Sequence, residues 1–423
     1  MSKFIFKSYN FDIKESVANF NYAFDDGRSF KETIKFEHNI EFDSEVLDRA
    51  LFLAFILIGT SYYKTFPVVD VEMEILIDDW QVEFFNKVYQ EGLAQFAFEN
   101  NLKREDLAHF KATSLISVGD PLLYEGTGIL VLQSGGKDSL LTASLLQRNE
   151  ILFTSWFLAS GESHPTVIDK IGEKLEISLR SIDNEGLKKA LEDGGKNGHV
   201  PITYIVKSIA VIQAILLGKS HILTSIAHEG EEPNYLIDNL VVSHQWSKTW
   251  QAEVDFIEYI DRYVSPNIRI GSPIRSYSEL RVAELFVTNC WEKYGYDFSS
   301  CNIANYKQGN DNSNLKWCGD CPKCANSYLL FAPFLPSDEL KKLFNGEDLF
   351  TRSSLNLIFK GLLGIDGEPK PFECIGEIEE LRLAYHKAQN KGGYESLPFE
   401  VPESTFDYMQ TYQNQEWAIK MLQ

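Results

Sequence analysis

The chain has 423 residues, of which 44% are hydrophobic and 24% charged, a composition typical of a soluble globular protein with two or three domains. Its formal net charge of −21 argues against broad binding to nucleic acid or to an anionic membrane. The first 16 residues lack the continuous apolar core of a signal peptide, and the longest apolar stretch, residues 50–58, is shorter than the roughly 20 residues that span a bilayer. Six cysteines do not make a disulfide scaffold in a chain of this length, so we expect a cytoplasmic protein.

Residues 1–120 are predicted to form an N-terminal α+β domain. Apolar residues alternate up to residue 36 around a turn at Asp26-Gly27, as they do in antiparallel strands. The elements expected next are a buried helix at 44–58, a strand at 68–77, and a helix capped by Asp78 or Asp79.

Strand and helix patterns alternate over residues 121–285, which predicts an α/β fold with a doubly wound parallel sheet. Strands are expected at 129–132, 152–158 and 221–224, and the clearest helix at 202–217 with Pro201 at its first position. Ligands of such sheets bind beyond the carboxyl ends of the strands.

A glycine-rich segment follows the strand at 129–132 and precedes a helical run. Its residues are Ser134, Gly135, Gly136, Lys137, Asp138 and Ser139. Glycines let backbone amides close around an anion, and a helix N-terminus adds about half a positive charge. Lys137 supplies a point charge and Asp138 a carboxylate suited to magnesium. The segment is therefore interpreted as a phosphate site.

The spacing of this segment differs from Walker A and resembles the loop of ATP pyrophosphatases, which split ATP into AMP and pyrophosphate. We assign Ser134, Gly135, Gly136 and Ser139 to phosphate binding, with Lys137 on the phosphates and a magnesium ion on Asp138. A plain glycine turn is the alternative, and it leaves the lysine and the aspartate unexplained.

Two further loops carry polar groups. Residues 194–201 form a glycine-rich connection that can bind a second anion or only join two elements, and His199 within it is placed for proton transfer or for a structural role. The segment 224–232 follows a predicted strand, and its glutamates either hold magnesium or form a solvated acidic loop.

Three more ionisable residues are candidates for the site. His244 and Lys248 are four residues apart and would share a face if the segment were helical. Arg275 precedes a capping-box pattern at 276–279 and either clamps a carboxylate or phosphate bidentately or makes a surface salt bridge.

The C-terminal region, residues 286–423, contains a cysteine cluster. Cys318, Cys321 and Cys324 have the spacing C-x2-C-x2-C, and 16 residues separate Cys301 from Cys318. Four thiolates suit tetrahedral structural zinc, with an iron–sulfur cluster as the alternative. The other two cysteines, at 290 and 374, are expected to be ordinary core residues.

Taken together in this order, the motifs resemble the UDP-N-acetylmuramoyl-L-alanyl-L-glutamate epimerases of bacterial cell-wall synthesis. The matching segments are Gly59-Thr-Ser-Tyr-Tyr-Lys64, residues 92–100 and 135–139, Asn197-Gly-His-Val-Pro201, His244-Gln-Trp-Ser-Lys248, residues 275–280, 300–302, Trp317-Cys-Gly-Asp-Cys-Pro-Lys-Cys324, 330–333 and 370–377. The segment 225–230 departs from the Ser-Asn-Glu-like sequence expected there. The glycine loop and the cysteines also resemble, more distantly, the 7-cyano-7-deazaguanine synthases, which are shorter.

The resemblance implies an adenine nucleotide alpha hydrolase-like fold and an ATP-dependent inversion of L-glutamate to D-glutamate on a UDP-linked muramoyl dipeptide. Adenylation of the carboxylate makes its α-proton acidic, and AMP and pyrophosphate are released. ATP, Mg²⁺ and structural Zn²⁺ are the expected cofactors. The residues predicted to act in catalysis are Lys137, Asp138, His199, His244, Lys248 and Arg275. An ATP-dependent ligase or amide/nitrile-forming enzyme, and a non-catalytic nucleotide-binding module, are the alternatives.

Overall fold

The computed structural model describes residues 2–38, 41–114, 122–237, 240–306 and 312–422. The strands are β1 Lys3–Asp12, β2 Val17–Phe24, β3 Ser29–Lys35, β4 Asp70–Met73, β5 Ile129–Leu132, β6 Thr154–Ala159, β7 Leu175–Ser181, β8 His221–Leu223, β9 Tyr235–Ile237, β10 Leu240–Val242 and β11 Arg269–Gly271. The helices are α1 Ser44–Tyr63, α2 Asp79–Gln90, α3 Ala94–Glu99, α4 Lys137–Arg148, α5 Asn184–Glu192, α6 Ile202–Leu216, α7 Trp250–Tyr259, α8 Glu279–Tyr294, α9 Asn302–Asn305, α10 Pro322–Phe331, α11 Ser337–Lys342, α12 Asn356–Leu363, α13 Ile378–Lys391 and α14 Glu416–Lys420.

Within the described residues, one large sheet of nine strands runs through the molecule in the order β11-β8-β5-β6-β7-β3-β2-β1-β4. The strands β11, β8, β5, β6 and β7 are mutually parallel, which confirms the predicted parallel sheet. At β7 the direction reverses, because β3 pairs with it antiparallel and continues into β2 and β1. The N-terminal strands therefore extend the same sheet. The predicted domain boundary at residue 120 lies outside the described residues.

Two apolar cores cover the two faces of this sheet. Successive residues of β5 point to opposite faces, so Leu130 belongs to the core that contains α1 and α6, whereas Val131 belongs to the core that contains α4, α8 and α10. Ile222 and Leu223 of β8 divide in the same way. Because both faces are covered, the central strand β5 is a short run of apolar residues.

Helix α1 has the length and composition of a helix that could cross a membrane, but 89% of that stretch is buried inside the protein. It packs against α6 and the N-terminal strands. The apolar surface of α1 is therefore buried in the protein core, as the sequence predicts. The helix is longer than the predicted 44–58, because it extends to Tyr63.

The predicted elements differ from the structure at several places. The strand expected at 68–77 is only β4, because the chain turns away after residue 73. Asp78 caps α2 with a capping box, as predicted. Pro201 is the residue before the first residue of α6, not its first residue. The segment 244–248 is not an α-helix, since it holds a turn and a single 3-10 turn at Trp246–Lys248. The cap of α8 is Ser278, which accepts a hydrogen bond from the Arg281 amide, and not Ser276.

Candidate functional site

The glycine-rich loop lies at the carboxyl end of β5 and leads into α4. Gly135 has φ +75, and a Cβ there would lie 2.8 Å from Leu315, so both the backbone and the space require glycine. Gly136 is the N-cap of α4 and gives it no side-chain cap. The Ser139 hydroxyl accepts from the Ser134 amide at 3.3 Å and lies 3.4 Å from the Ser134 hydroxyl. The loop therefore presents backbone amides and hydroxyls at a helix N-terminus, as an anion site requires.

Lys137 does not point freely out of this loop. Its ammonium, in a side chain only 7% exposed, donates at 2.6 Å to Asp138 and at 2.6 Å to Glu279 at the start of α8. Burial opposes its charge, but these two carboxylates raise the pKa of Lys137 above its usual range. Burial, Asp138 and Glu229 in turn raise the pKa of Glu279 to about 8, against the opposing effect of Lys137. The Lys137 ammonium thus holds the Asp138 carboxylate in place. Asp138 also lines the first cavity at this loop.

A cavity of about 360 Å³ opens at this loop. Its wall carries Ser134, Gly136, Asp138 and Ser139 from the loop, Thr203, Val206 and Lys207 from α6, Ser225 and Glu229 after β8, and Lys248, Ser299, Ser300, Asn302, Tyr306 and Lys323. Three lysines and two acidic residues line it, although the whole chain carries a net charge of −21. Positive charge is therefore concentrated where the glycine loop would hold an anion.

Lys207 is a cavity residue that the sequence analysis did not single out. It is 2% exposed and lies near the faces of the Tyr204 and Phe256 rings. Among the described residues no hydrogen bond or ion pair of its ammonium is found, and burial lowers its pKa to about 8. A lysine within the apolar run of α6 was the available signal, because a charge on a buried helix face needs a partner.

A second cavity of about 390 Å³ adjoins the first and is mostly apolar. Trp156, Phe157 and Ala159 of β6 and Arg180 of β7 line it, and Gln133 lines both cavities. The Gln133 side chain is 6% exposed, and neither its amide nitrogen nor its oxygen has a hydrogen-bond partner among the described residues. A buried amide without partners, at the junction of two cavities, is positioned to bind a ligand.

His199 and His244 lie together, with ring centroids 4.6 Å apart. Burial, the adjacent His244 ring and the Lys64 ammonium lower the pKa of His199 to about 3, so this imidazole is neutral near pH 7. Gln95 of α3 holds His244, because its side-chain oxygen lies 2.7 Å from Nδ1. Neither histidine is among the residues that line the first cavity.

Lys248 lines the cavity and pairs with Glu229 at 2.9 Å. Burial opposes its charge, but Cys374 and Glu229 raise the pKa of Lys248. Burial would raise the pKa of Glu229, yet Lys248, with Lys137 and Lys323, lowers it. Glu229 is thus buried and ion-paired, Glu231 and Glu232 pair with Arg275 and Lys370, and a magnesium ion on this segment stays a prediction.

Arg275 is fully buried and is not part of the cavity wall. Its guanidinium donates to the carbonyl oxygens of Ala227 and Lys248 at 2.7 and 2.9 Å, and to Glu231 at 3.2 Å. It ties the segment after β8 to Lys248. Its predicted role as a clamp on an anionic ligand stays a prediction.

Cys374 is not the ordinary core cysteine that the sequence suggested, whereas Cys290 is one, being 1% exposed. The Cys374 side chain is partly exposed and lies among His244, Lys248 and Lys323. Burial opposes its ionisation, but the two ammonium groups and a hydrogen bond with His244 lower the pKa of the Cys374 thiol to about 6. Sequence alone gave no sign of this, because the three neighbours are far away in the chain.

The four predicted metal ligands come together. The sulfur atoms of Cys301, Cys318, Cys321 and Cys324 lie within 4.8 Å of one another. Neighbouring sulfurs are 3.5 to 3.7 Å apart, close to the roughly 3.8 Å expected between sulfurs bound tetrahedrally at about 2.3 Å from zinc.

The backbone around these sulfurs also fits a metal-bound cluster of thiolates. Amides of Ala304, Gly319 and Asp320 donate to cluster sulfurs at 3.3 to 3.5 Å, and such hydrogen bonds stabilise negative sulfur. The donor set and its spacing therefore could hold a zinc ion.

The cysteine cluster lies directly behind part of the cavity wall, because its chain neighbours line the cavity. Cys301 stands between the cavity residues Ser300 and Asn302, and Lys323 lies directly before Cys324 in α10. Cys301 and Cys321 are the N-caps of α9 and α10. A metal ion here would fix both segments and so position one side of the cavity.

The fold and site define an α/β protein whose glycine loop lies at the carboxyl edge of a parallel sheet, beside a four-cysteine cluster. A family model described as the MurL N-terminal domain matches residues 1–271, and one described as the MurL C-terminal domain matches residues 297–413. The chain therefore belongs to the MurL family.

Curated relatives support this assignment along most of the chain. A protein of Salinispora tropica is 31% identical over 409 residues, which cover 94% of this chain and 87% of the relative. One of Xanthomonas oryzae pv. oryzae is 29% identical over 394 residues, covering 91% and 85%. A third, from a Micromonospora species, is 30% identical over 395 residues, covering 91% and 86%. All three are named UDP-N-acetyl-alpha-D-muramoyl-L-alanyl-L-glutamate epimerase.

Proposed function

We propose that this protein epimerises the terminal L-glutamate of UDP-MurNAc-L-Ala-L-Glu to D-glutamate, with ATP consumed to AMP and pyrophosphate, in cytoplasmic synthesis of peptidoglycan precursors. The observation that carries the ATP-dependent step is the lysine-rich cavity at the glycine loop. The names of the curated relatives supply the substrate and the inversion.

The adenylation step follows from elementary chemistry. Removing a proton next to a carboxylate builds a second negative charge beside the first. Transfer of AMP to the carboxylate cancels that charge and leaves a carbonyl that can delocalise the carbanion. Groups that favour the developing negative charge then accelerate proton removal, and water releases AMP and the epimerised product.

Each part of the site has a proposed task. Ser134, Gly135, Gly136 and Ser139 bind phosphate, supported by their place at the start of α4. Asp138 holds Mg²⁺, which would neutralise phosphate charge, and Lys137 both fixes Asp138 and reaches the phosphates.

The remaining predicted residues act on the glutamyl group and its surroundings. Lys248, His199 and His244 serve the proton transfer, and Arg275 positions the Lys248 backbone through its hydrogen bond at 2.9 Å. The apolar cavity beside Gln133 is suited to the adenosine part of ATP, because aromatic and aliphatic side chains line it.

The test incubates the purified protein with ATP, Mg²⁺ and UDP-MurNAc-L-Ala-L-Glu in deuterated water. We expect AMP, pyrophosphate and D-glutamate that carries deuterium at Cα. AMP release only when an amine is added, with retained L-configuration, would favour a ligase instead. No AMP, with the substrate returned unlabelled, would contradict the proposal.

Asp138→Ala tests the assignment of the loop in the same assay. Pyrophosphate release should fall below detection, because the metal-binding carboxylate and the partner of Lys137 are both lost. Glu185→Ala, an exposed acidic position at the start of α5, is the matched control. An unchanged rate in Asp138→Ala would remove this residue from the site.

A further inference from the structure

We propose that the side-chain carboxamide of Gln133 holds the activated glutamyl residue by its edge, and that the Ser225 hydroxyl is a second donor to the same group. The carboxamide nitrogen donates to the acyl oxygen, and the carboxamide oxygen accepts from the peptide N–H on Cα. This inference rests on the proposed function and deepens it, because it names two catalytic residues outside the set predicted from the sequence.

Both side chains have buried polar atoms without a partner in the protein. Gln133 is 6% exposed, and neither its amide nitrogen nor its oxygen makes a hydrogen bond within the described residues. The buried Ser225 hydroxyl has no hydrogen bond in this part of the chain either, and both residues line the first cavity. Because a buried donor or acceptor without a partner costs free energy, these groups indicate a polar ligand in the cavity.

The backbone fixes both residues at the same edge of the sheet. Strands β5 and β8 are parallel neighbours; Gln133 directly follows β5, and Ser225 lies two residues beyond the end of β8. The Gln133 amide donates to the Trp156 carbonyl at 2.8 Å, so this residue is still paired with β6. The residue after Ser225 is held as well, because the Ile226 amide donates to the Ser272 hydroxyl at 3.0 Å. Both side chains therefore start from hydrogen-bonded backbone, as preorganised donors require.

Gln133 lies where the two parts of an acyl adenylate would meet. It lines both the first cavity, at the glycine loop, and the apolar second cavity proposed for adenosine. In an acyl adenylate the α-phosphate links the adenosine to the acyl group. With adenosine in the second cavity, this linkage falls at the junction of the two cavities. The acyl group then extends into the first cavity, which Ser225 and Lys248 also line.

One carboxamide can bind two groups of the same extended residue. In an extended peptide the N–H and C=O of one residue point to the same side, as in the hydrogen-bonded pairs of an antiparallel sheet. Gln133 offers a donor and an acceptor next to each other, which matches this pair. Phosphate oxygens only accept, so they would leave the carboxamide oxygen without a partner. The glutamyl residue satisfies both atoms.

Holding the glutamyl group by its edge leaves both faces of Cα open. Once the Cα proton is removed, the nitrogen, Cα, the acyl carbon and the acyl oxygen lie in one plane, and the Gln133 carboxamide lies at the edge of that plane. A base on one face and an acid on the other can then both reach Cα, which inversion requires. The L and D forms share the same N–H and acyl oxygen, so the same contacts bind both.

The donors act where negative charge develops. The C–H bond at Cα breaks as a base of the proposed proton-transfer set takes the proton, and the electron pair of that bond moves onto the acyl oxygen. The Gln133 nitrogen and the Ser225 hydroxyl stabilise this oxygen more than the neutral carbonyl. A proton then reaches Cα at the opposite face and the carbonyl forms again, so the step needs no further reactant.

The decisive experiment compares the whole protein with Gln133→Met and Ser225→Ala in single turnovers in deuterated water. Pyrophosphate release and deuterium at Cα of the UDP-linked substrate are measured in the same samples. We expect both variants to keep pyrophosphate release, while the rate of deuterium incorporation falls at least about 100-fold in each, as when one oxyanion donor is removed. Gln147→Met, at a half-buried glutamine of α4 outside both cavities, is the matched control.

Thermal unfolding distinguishes this role from a structural one. Gln133 makes no hydrogen bond within the described residues, so Gln133→Met removes none and should leave the melting temperature unchanged or raise it. Three results would overturn the proposal: exchange at the rate of the unsubstituted protein, a lowered melting temperature of Gln133→Met, or loss of its ATP binding in calorimetry, which would place the carboxamide on adenine. Failure of the unsubstituted protein to release pyrophosphate is a different result, because it refutes the proposed function itself.

An ester analogue of the substrate tests the hydrogen bond to the carboxamide oxygen. In this analogue an oxygen replaces the N–H between alanine and glutamate. Because the replacement also changes the acidity of the Cα proton, each protein is described by the ratio of its exchange rates with the natural substrate and the ester. This ratio should be at least about tenfold larger for the unsubstituted protein than for Gln133→Met. Equal ratios would show that the Gln133 oxygen does not hold the peptide N–H.

Discussion

The buried polar residues in and around this site fall into two groups. Some have hydrogen-bond partners within the protein, and others have polar groups that a ligand could bind. Lys137 donates to two carboxylates, and the terminal nitrogens of Arg275 donate to protein oxygens. Lys207 and Gln133 are also buried, yet within the described part of the chain neither side chain makes a hydrogen bond, and the nearby Glu253 only partly offsets the burial of the Lys207 charge. The second group therefore marks the place where ligand binding compensates the cost of burial.

Lys207→Met should stabilise the ligand-free protein at pH 7 by about 1–3 kcal/mol. The folded-state pKa of Lys207 is lowered from 10.5 to about 8, so the unfolded chain binds the proton more tightly. The destabilisation is fully present below pH 8 and disappears as the pH rises from 8 to 10.5. Urea unfolding of both proteins at pH 7 and pH 10.5 measures this.

The same substitution should weaken ATP binding at least about tenfold, because a buried cation no longer meets the phosphates. Calorimetric titration with ATP and Mg²⁺ tests this, with Lys188→Met on the exposed face of α5 as control. Equal affinities of the two variants would show that Lys207 does not face the nucleotide.

At the level of elements, sequence patterns predict strands well where burial follows hydrophobicity. The strand at 129–132 was predicted with its bounds because every residue is apolar. Strand β7 was missed because its pattern is inverted, since its buried residues are Glu176, Ser178 and Arg180 while the apolar ones are only half-buried. The Ser178 hydroxyl accepts a hydrogen bond from Trp156 and donates one to Gln213. Such tertiary partners determine which face of β7 is buried, and the local sequence does not reveal them.

In the candidate site as well, local motifs can be predicted from the sequence, whereas features that depend on tertiary neighbours cannot. The glycine loop and the four cysteines are local motifs with a chemical reason for their spacing, and the sequence predicts them. Cys374 and Lys207 acquire their character from neighbours on other segments, such as Lys323 for the thiol, and no local pattern reports that.

Helices α9 and α10 both begin directly after cluster cysteines, and the Cys301 sulfur caps α9 by accepting from the Ala304 amide, which predicts a structural use of metal. We expect about one zinc per chain, and Cys318→Ser or chelation should remove it and lower both the melting temperature and the ATP affinity. Elemental analysis, thermal unfolding and nucleotide titration measure the three effects. Cys290→Ser keeps the cluster and serves as control. A zinc-free protein that is fully folded and active would refute this role.

At the scale of the whole molecule, the pairing of β3 with β7 joins the N-terminal strands to the parallel sheet. A buried ion pair lies at this junction, where Arg180 donates to Glu32 at 2.6 Å and the Tyr62 hydroxyl donates to the same carboxylate at 2.8 Å. Glu32 is 0% exposed. The junction therefore depends on an ion pair that is almost completely buried, since Arg180 is only 7% exposed.

Glu32→Ala should lower the free energy of unfolding by about 3–5 kcal/mol, because Arg180 is left buried and uncompensated. Glu72→Ala is the matched control, since its pair with Lys3 is about half exposed and contributes no more than about 1 kcal/mol. Urea unfolding followed by circular dichroism measures both. Losses of similar size would mean that the buried pair does not hold the two parts of the sheet together.

The N-terminal extension of the sheet has a consequence for aggregation. Without β3 beside it, the seven-residue β7 would present an open ladder of amides and carbonyls to other chains. With the extension, the sheet ends instead at β4, which has four residues and exposes the charged Asp70 and Glu72. The opposite margin, β11, has only three residues. Both edge strands are thus too short or too charged to pair with a strand of another molecule. The N-terminal strands therefore also protect the protein from edge-to-edge aggregation.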